Sequence, residues 1–373
     1  MLANTCSKLN LFPDFVILES KISYVSVLEG GLLSTQKQSV TKVPYSKSNS
    51  AKVRRAIAVI RSQGFTYYSQ NYLKRRLYNS FLKKKQYTKL NDCGWKEINF
   101  KALNLHGSAK ILLNPLDMGF SREFNVYGFR EPLNTYAFFC NVAKKKPVVL
   151  DIGGNLGYFS LIELQAGAKK VISVEPVPST FGFLTKTLEK YKDAKPLNIA
   201  ISDHKESLKL YVGTDLNVTS SFRQLFVNTD HLLAYEIMAN AETLQSMEEK
   251  YPITMIRMDV EGHEYRILSE RIPDQIDSIN IELHVLPPFN KKHAVNLLQC
   301  LSSQNFKVHT AINEMSYEYY DFVHRFGLKR GYKLARALGS KLTVRPCIQV
   351  NPSFQDIVDK IPERGQIHLT LER

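Results

Sequence analysis

Acidic and histidine side chains gather in this 373-residue chain where hydrophobic runs stop. The run TMIRMDVEGHE carries Asp259 at its end and continues through Glu261, His263 and Glu264, while INIELHV contributes Glu282 and His284. Carboxylates and imidazoles can take a proton from a hydroxyl near neutral pH. If the two runs are adjacent strands, these groups meet on one rim, so Asp259, Glu261, His263, Glu282 and His284 are the candidate catalytic residues. A second use of the same donors stays open: Asp259 with Glu282 or His284 could hold Mg²⁺, which lowers the pKa of a bound hydroxyl. Plainer roles exist for several of them. His263 could cap or pack a helix start, Glu282 could orient a loop, and Glu264 is expected to face solvent.

A third strand end supplies a binding turn. In VVLDIGGNLGYFS (148–160), apolar residues lead to Asp151, followed by Gly153, Gly154, Asn155 and Gly157 and then a helix-compatible LIELQ. A strand, a tight glycine turn and a helix start bring backbone N–H groups close to a ligand. The next apolar run, VISVEPVP, ends in Glu175, 24 residues after Asp151, where an acidic side chain suits a ribose diol. The glycines do not fit the dinucleotide spacing G-x-G-x-x-G. The turn reads Asp-x-Gly-x-Asn-x-Gly, which suits a ligand with a cationic centre and an amino-acid tail, S-adenosylmethionine. Methyl transfer from it is an in-line displacement that needs a positioned nucleophile and, for a hydroxyl, a base.

Alternating strands and helices must position these groups. Strands are expected near 148–151, 171–175, 197–200, 254–259, 278–284 and 305–310, with helices near 157–166, 179–191, 262–270 and 291–303. That alternation predicts an α/β fold, a Rossmann-like, doubly wound, mostly parallel sheet of about seven strands. Upstream, EINFKALNL and SAKILLNPLDMGFSREFNVYG suggest a β-hairpin, and EPLNTYAFFCNVA a helix. ESLKLYVG suggests an added hairpin before a polar insertion at 213–250. Beyond 311 the pattern loosens around a basic segment, HRFGLKRGYKLARALGSKL, before a last strand at IHLTLER.

The net charge of +15 is lopsided. Between Glu29 and Asp92 the chain has no acidic residue and 14 lysines and arginines, from Lys37 to Lys89. Residues 1–95 therefore read as a basic, partly helical extension, and 96–373 as the catalytic domain, with a core at 107–310 and a basic insertion at 311–366. The basic segment is expected to attract a polyanion: nucleic acid, an acidic membrane face or an anionic glycolipid. Five scattered cysteines without a C-x-x-C pair suggest a reduced, cytoplasmic protein without a zinc site. No apolar stretch is long enough for a membrane span and no signal peptide is evident.

The ordered set GFREPLNTY, DIGGNLGYFSL, VISVEPVPSTF, NIAISD, IRMDVEGHE and IELH resembles the FkbM family of S-adenosylmethionine-dependent methyltransferases, over roughly residues 107–310. The resemblance implies O-methylation of a hydroxyl on a sugar, glycolipid or related metabolite. It also implies that Asp151, Gly153, Asn155 and Gly157 cradle the methionine part and Glu175 the ribose. Ala200 to Asp203 would flank adenine, and Glu131 and Thr135 would close over the cofactor. Gly154 stands where alanine is more usual, which reads as a mild change. The place of an Asn/Asp-Pro-Pro-aromatic turn, expected of enzymes that methylate base amines, holds Asp259-Val260-Glu261-Gly262 instead. An RNA methyltransferase with residues 51–90 as its nucleic-acid arm is the alternative, and a binding protein with a relict pocket the third reading.

Overall fold

The computed structural model describes residues 94–373 except 116, 118, 214–233, 286, 287, 315, 316, 339–345 and 364. The basic segment and its expected helices, and the middle of the 213–250 insertion, lie outside the described residues.

The chain starts with a short antiparallel pair, β1 (Trp95–Glu97) and β2 (Lys110–Leu112). The second segment of the expected hairpin is a strand only at β2, and its end is helix α1 (Phe120–Tyr127). Phe120, Phe124 and Tyr127 recur at helical spacing and are buried, and the first two stack at 5.9 Å. Helix α2 (Pro132–Lys145) lies where the sequence places one, with proline in its first turn.

The central sheet begins with β3 (Val148–Ile152), crosses through α3 (Tyr158–Ala166) to β4 (Lys170–Val174), and through α4 (Pro178–Leu188) to β5 (Ala194–Leu197). The strand expected at 197–200 is broken. Asn198 donates its amide hydrogens to the carbonyls of Glu175 and Pro176 (2.8 and 3.1 Å). Ala200–Ser202 then forms β6, which joins β7 (Glu206–Gly213) and β8 (Ala234–Thr243) in a separate sheet ordered β6-β8-β7. So the insertion read as polar contains a ten-residue strand, followed by helix α5 (Leu244–Lys250).

The main sheet resumes with β9 (Met255–Met258), a single helical turn α6 (Glu264–Ile267) where a longer helix is expected, and β10 (Ser278–Val285). Helix α7 (Lys291–Ser303) and β11 (Lys307–Asn313) follow. The loosened region is a helical hairpin, α8 (Tyr317–Phe326) and α9 (Leu328–Leu338), then β12 (Cys347–Val350), α10 (Phe354–Lys360) and β13 (Gly365–Glu372). The hairpin closes at Gly331, where a Cβ would stand 2.7 Å from the Val323 nitrogen.

Across the sheet the order is β12-β11-β13-β10-β9-β3-β4-β5, eight strands where about seven are expected, with β12 the extra edge. β3, β4, β5, β9 and β10 are parallel, and β13 lies antiparallel between β10 and β11. β3, β4, β9 and β10 are buried on both faces, so β3 and β4 read as nearly unbroken apolar runs. The chain leaves β3 towards β4 on one side and later returns to β9 on the other. That reversal opens a crevice beyond the carboxyl ends of β3 and β9, where Asp151 and Asp259 sit. Among the described residues no helix is long and apolar enough to cross a membrane.

Candidate active site

A polar row crosses one face of the apolar sheet and fixes the floor of the crevice. The strand register puts Asp151 beside Arg257, Arg257 beside Asn280, and Asn280 beside Thr370. All four are buried. Arg257 lies 3.5 Å from Asp151 and 3.2 Å from Asp259, with its Cζ over the Phe159 ring at 4.1 Å from the centroid. A buried guanidinium is tolerable only with such partners.

Above this floor runs the glycine turn. Gly153 has φ +81°, and a Cβ on it would lie 2.0 Å from the Asp259 carbonyl oxygen, so only glycine lets the turn pass over β9. Gly157, with φ +93°, opens α3. Asn155 also has left-handed backbone (φ 49°), and its N–H donates to Glu175 Oε2 at 3.1 Å. Gly154 is not the mild change expected. Its missing Cβ leaves the space that the Ser173 hydroxyl occupies, 2.0 Å from where that Cβ would be.

Two hollows meet at this turn. The larger, about 630 Å³, is lined by Glu175 and Pro176 at one end, Asp259, Val260 and Glu261 at the other, and an apolar wall of Ile199, Ala200, Ile201 and Leu210. The smaller, about 350 Å³, is lined by Phe120, Arg130, Glu131, Tyr158, Phe159 and Arg257. Gly153, Asn155 and Asp259 belong to both. The residues present fit S-adenosylmethionine. Glu175 faces a site for a diol, the apolar wall suits a purine, and the charged smaller hollow suits an amino-acid tail. Asn155 Oδ1 is buried without a hydrogen-bond partner, an acceptor that an ammonium would satisfy.

The structure sorts the expected site residues into three groups. Gly153, Asn155, Glu175, Ala200, Asp259 and Glu261 line the larger hollow, and Glu131 the smaller. Asp151 and Thr135 stand behind the lining. Asp151 is fully buried and accepts from Ser160 Oγ (2.5 Å) and Ser173 Oγ (3.2 Å), so it braces the turn from below. Thr135 Oγ1 donates to the Arg130 carbonyl and lies 3.2 Å from the Tyr158 hydroxyl. His263, Asp203, Gly157, Glu282 and His284 line neither hollow. His263 Nε2 meets Ser202 Oγ at 3.2 Å, and Asp203 pairs with Arg266 Nε at 2.6 Å.

Glu264 corrects another expectation. It does not face solvent: the chain turns inward after Gly262 (φ +99°), and Glu264 is fully buried against His284. His284 Nδ1 lies 2.8 Å from Glu264 Oε1, and its Nε2 3.4 Å from Glu261 and 3.9 Å from Glu282. Burial opposes its charge, but Glu264 and Glu261 outweigh it and hold the imidazole protonated well above the ordinary histidine range. A protonated ring is a poor base. Burial pushes Glu261 up to about 7, against the pull of His284. Burial raises Glu282 further, helped by Asp259 and Glu131. Asp259 goes the other way: burial would raise it, but Arg257 and His284 hold it low and ionised.

A second imidazole, His368 on β13, faces Glu282 across the register. Burial lowers its pKa and keeps it neutral. Asn134 donates one amide hydrogen to Glu131 Oε2 (2.9 Å), and its other lies towards His368 Nδ1 (3.3 Å), which puts the His368 proton on Nε2.

This donor set does not fit the metal expectation. Glu131, Glu282 and His368, and separately Asp259, Glu261 and His284, are close enough to chelate. Yet His284 has carboxylates at both nitrogens and so offers no lone pair, and the one lone pair of neutral His368, on Nδ1, faces the Asn134 amide.

Arg130, Arg257, Tyr158 and His368 carry no assigned role in the sequence reading. An arginine inside the apolar run TMIRMDV was the available signal, since it demands a buried acid on a neighbouring strand.

Residues 151–333 match the family described as the Methyltransferase FkbM domain. No curated protein matches the chain. Among solved structures it is similar to an S-adenosylmethionine-dependent methyltransferase from Agrobacterium tumefaciens, at 10% identity and a TM-score of 0.38, covering 75% of this chain and 70% of that one. It is also similar to TYW2 of M. jannaschii in complex with AdoMet, at 10% identity and a TM-score of 0.32, covering 71% of this chain and 83% of that one. A third is a precorrin-6y C5,15-methyltransferase from Geobacter metallireducens, at 9% identity and a TM-score of 0.31, covering 64% and 87%.

Proposed function

We propose that this chain, which belongs to the FkbM family of S-adenosylmethionine-dependent methyltransferases, methylates a hydroxyl of a sugar, glycolipid or related metabolite. The observation that carries this reading is the rim after β9. Asp259 and Glu261 line the larger hollow at the place where an amine-methylating enzyme is expected to present an Asn/Asp-Pro-Pro-aromatic turn, and the two prolines are missing. A hydroxyl is a weak nucleophile until its proton is removed, and a carboxylate that titrates near neutral pH is suited to that task. Glu261, held in left-handed backbone at φ 52° and pushed up to about 7, is the proposed base. His284 and Glu282 position it. Asp259, kept ionised by Arg257, faces the cationic side of the cofactor.

Bound S-adenosylmethionine supplies an electrophilic methyl group on a sulfonium. Glu175 would hold its ribose hydroxyls. Asn155, Glu131, Arg130 and Arg257 would hold its amino-acid tail, and Ala200 with its apolar neighbours the adenine. Asp151 serves by bracing the turn.

The test is incubation of the full chain with methyl-labelled S-adenosylmethionine and three acceptor pools: oligosaccharides, extracted glycolipids and total RNA. Label recovered as O-methyl sugar supports the reading. Label confined to RNA overturns it in favour of an RNA methyltransferase, which the acid-free basic segment at 30–91 supports.

A further inference from the structure

We propose that the α8–α9 hairpin docks the protein on an anionic phospholipid surface through the basic face of α9, with Phe326 at its edge. The inference deepens the reading above, since it names a lipid-borne acceptor as the substrate class, and it can fail separately.

The sequence of α9, LKRGYKLARAL, contains cations and no acid. Its buried residues Leu328, Gly331, Tyr332 and Ala335 form one arc against the core. Lys329, Arg330 and Lys333 are exposed on the opposite arc, together with Ala337, and half-buried Arg336 stacks on Tyr332 at 5.8 Å at its border. The apolar side of this helix is therefore used up by the fold, and its charged side is what it offers outward. Phe326, at the turn between the helices, is 40% exposed, with Arg330 over its ring at 5.4 Å. An exposed aromatic beside a cationic helix face suits the headgroup region of a bilayer, where the ring sits at the interface and the cations meet phosphates. A single exposed ring does not make the stacking platform that nucleic-acid bases require. The described acid of α8, Asp321, is turned inward to the Tyr127 hydroxyl at 3.2 Å.

The same hairpin reaches the site. The Tyr320 hydroxyl accepts from the Glu131 N–H at 3.2 Å, and Glu131 lines the smaller hollow. Glu314, just before the hairpin, accepts from the N–H groups of Leu133 and Asn134 at the start of α2. A surface bound at α9 thus holds the helices that back the crevice.

The experiment is co-sedimentation of the full chain with phosphatidylcholine vesicles and with vesicles containing about 30% phosphatidylserine, at roughly physiological salt. Wild type is compared with Lys329→Glu/Arg330→Glu and with Lys186→Glu/Lys190→Glu, which changes net charge equally at exposed positions on α4 and in the turn after it. Wild type is expected to prefer the anionic vesicles. The α9 variant should bind them at least tenfold more weakly, and the control variant within about twofold of wild type, because charges remote from the surface are screened. Equal loss in both variants, no loss in the α9 variant, or no preference for phosphatidylserine each overturns the proposal. Vesicle binding needs neither acceptor nor cofactor, so any of these outcomes leaves the hydroxyl-methylation reading standing.

Discussion

Replacing Gly154 by alanine should be costly alone and harmless once Ser173 has lost its hydroxyl. The added Cβ would lie 2.0 Å from Ser173 Oγ, well inside van der Waals contact, and 3.4 Å from both Ser173 Cβ and Leu184 Cδ2. Only the hydroxyl is in the way. To make room it must rotate off Ser160 Oγ (2.9 Å) and Asp151 Oδ2 (3.2 Å), leaving a buried carboxylate with one hydroxyl donor in place of two. A hydrogen bond to a buried charge is worth about 1.5–3 kcal/mol, and residual overpacking adds to it, so Gly154→Ala should destabilise by roughly 2–4 kcal/mol. Ser173→Ala loses the same bond without the clash, about 1.5–3 kcal/mol. In the Ser173→Ala background the Gly154 substitution meets no clash and removes unfolded-state freedom, so it should be neutral or stabilising by up to about 1 kcal/mol. The pair should then show a coupling of roughly 2–5 kcal/mol in a denaturant double-mutant cycle, with the double variant no worse than Ser173→Ala in stability or S-adenosylhomocysteine affinity. Additivity within about 0.5 kcal/mol would refute the idea that the Ser173 hydroxyl occupies the place of the missing methyl.

Three further outcomes follow from the charges. Burial pushes Glu175 up to about 7, and the ionised form is the better acceptor for a diol, so calorimetric S-adenosylhomocysteine affinity should rise between pH 6 and 8 in wild type and stay flat and weaker in Glu175→Gln. His284 is held protonated above its ordinary value, so its contribution to stability is complete below the unfolded pKa near 6.5 and is lost as pH rises through the folded value. Denaturant curves should show His284→Gln roughly 3–5 kcal/mol less stable than wild type at pH 6, with a smaller gap at alkaline pH. With an acceptor in hand, the wild-type rate should climb with pH through about 7, as Glu261 ionises, and Glu261→Gln should lose that limb together with at least tenfold of kcat.

The parts of the fold legible in the sequence were those that parallel strands make legible. VVLDI, VISVE and TMIRMD read as buried runs with polar ends, so the crevice and its Asp259, Glu175 and Asn155 follow from the pattern. What stayed hidden depended on register and on crossings. IHLTLER reads as a strand, but nothing in it says that His368 meets Glu282 and Thr370 meets Asn280 until β13 is placed antiparallel to β10. The break between β5 and β6 rests on one asparagine side chain bridging two carbonyls. Glu264 misled because nothing in VEGHE shows that the turn at Gly262 (φ +99°) carries the side chain inward to His284. The hairpin at 317–338 escaped because its cations masked the helical recurrence of Tyr319, Val323, Leu328, Tyr332 and Ala335.

The crevice also shows why a cationic cofactor suits this chain. Asp151, Asp259, Glu131, Glu261, Glu264 and Glu282 converge on it, against Arg130, Arg257 and protonated His284. In a low dielectric such a surplus of carboxylates is costly and is relieved either by protonation or by a positive guest. Protonation takes part of it, since burial raises Glu261 and Glu282. Asp259 is the exception, held ionised by Arg257 at the point where the two hollows join. A ligand spanning both hollows must pass that charge, and a sulfonium placed there gains from it, while the neutral thioether left after methyl transfer does not. On the proposed reading the same residue would favour the methylated cofactor over the spent one, and Asp259→Asn should narrow the difference in affinity between S-adenosylmethionine and S-adenosylhomocysteine. Paired titrations of the two ligands read this directly, and an unchanged ratio would remove Asp259 from the methyl end of the site.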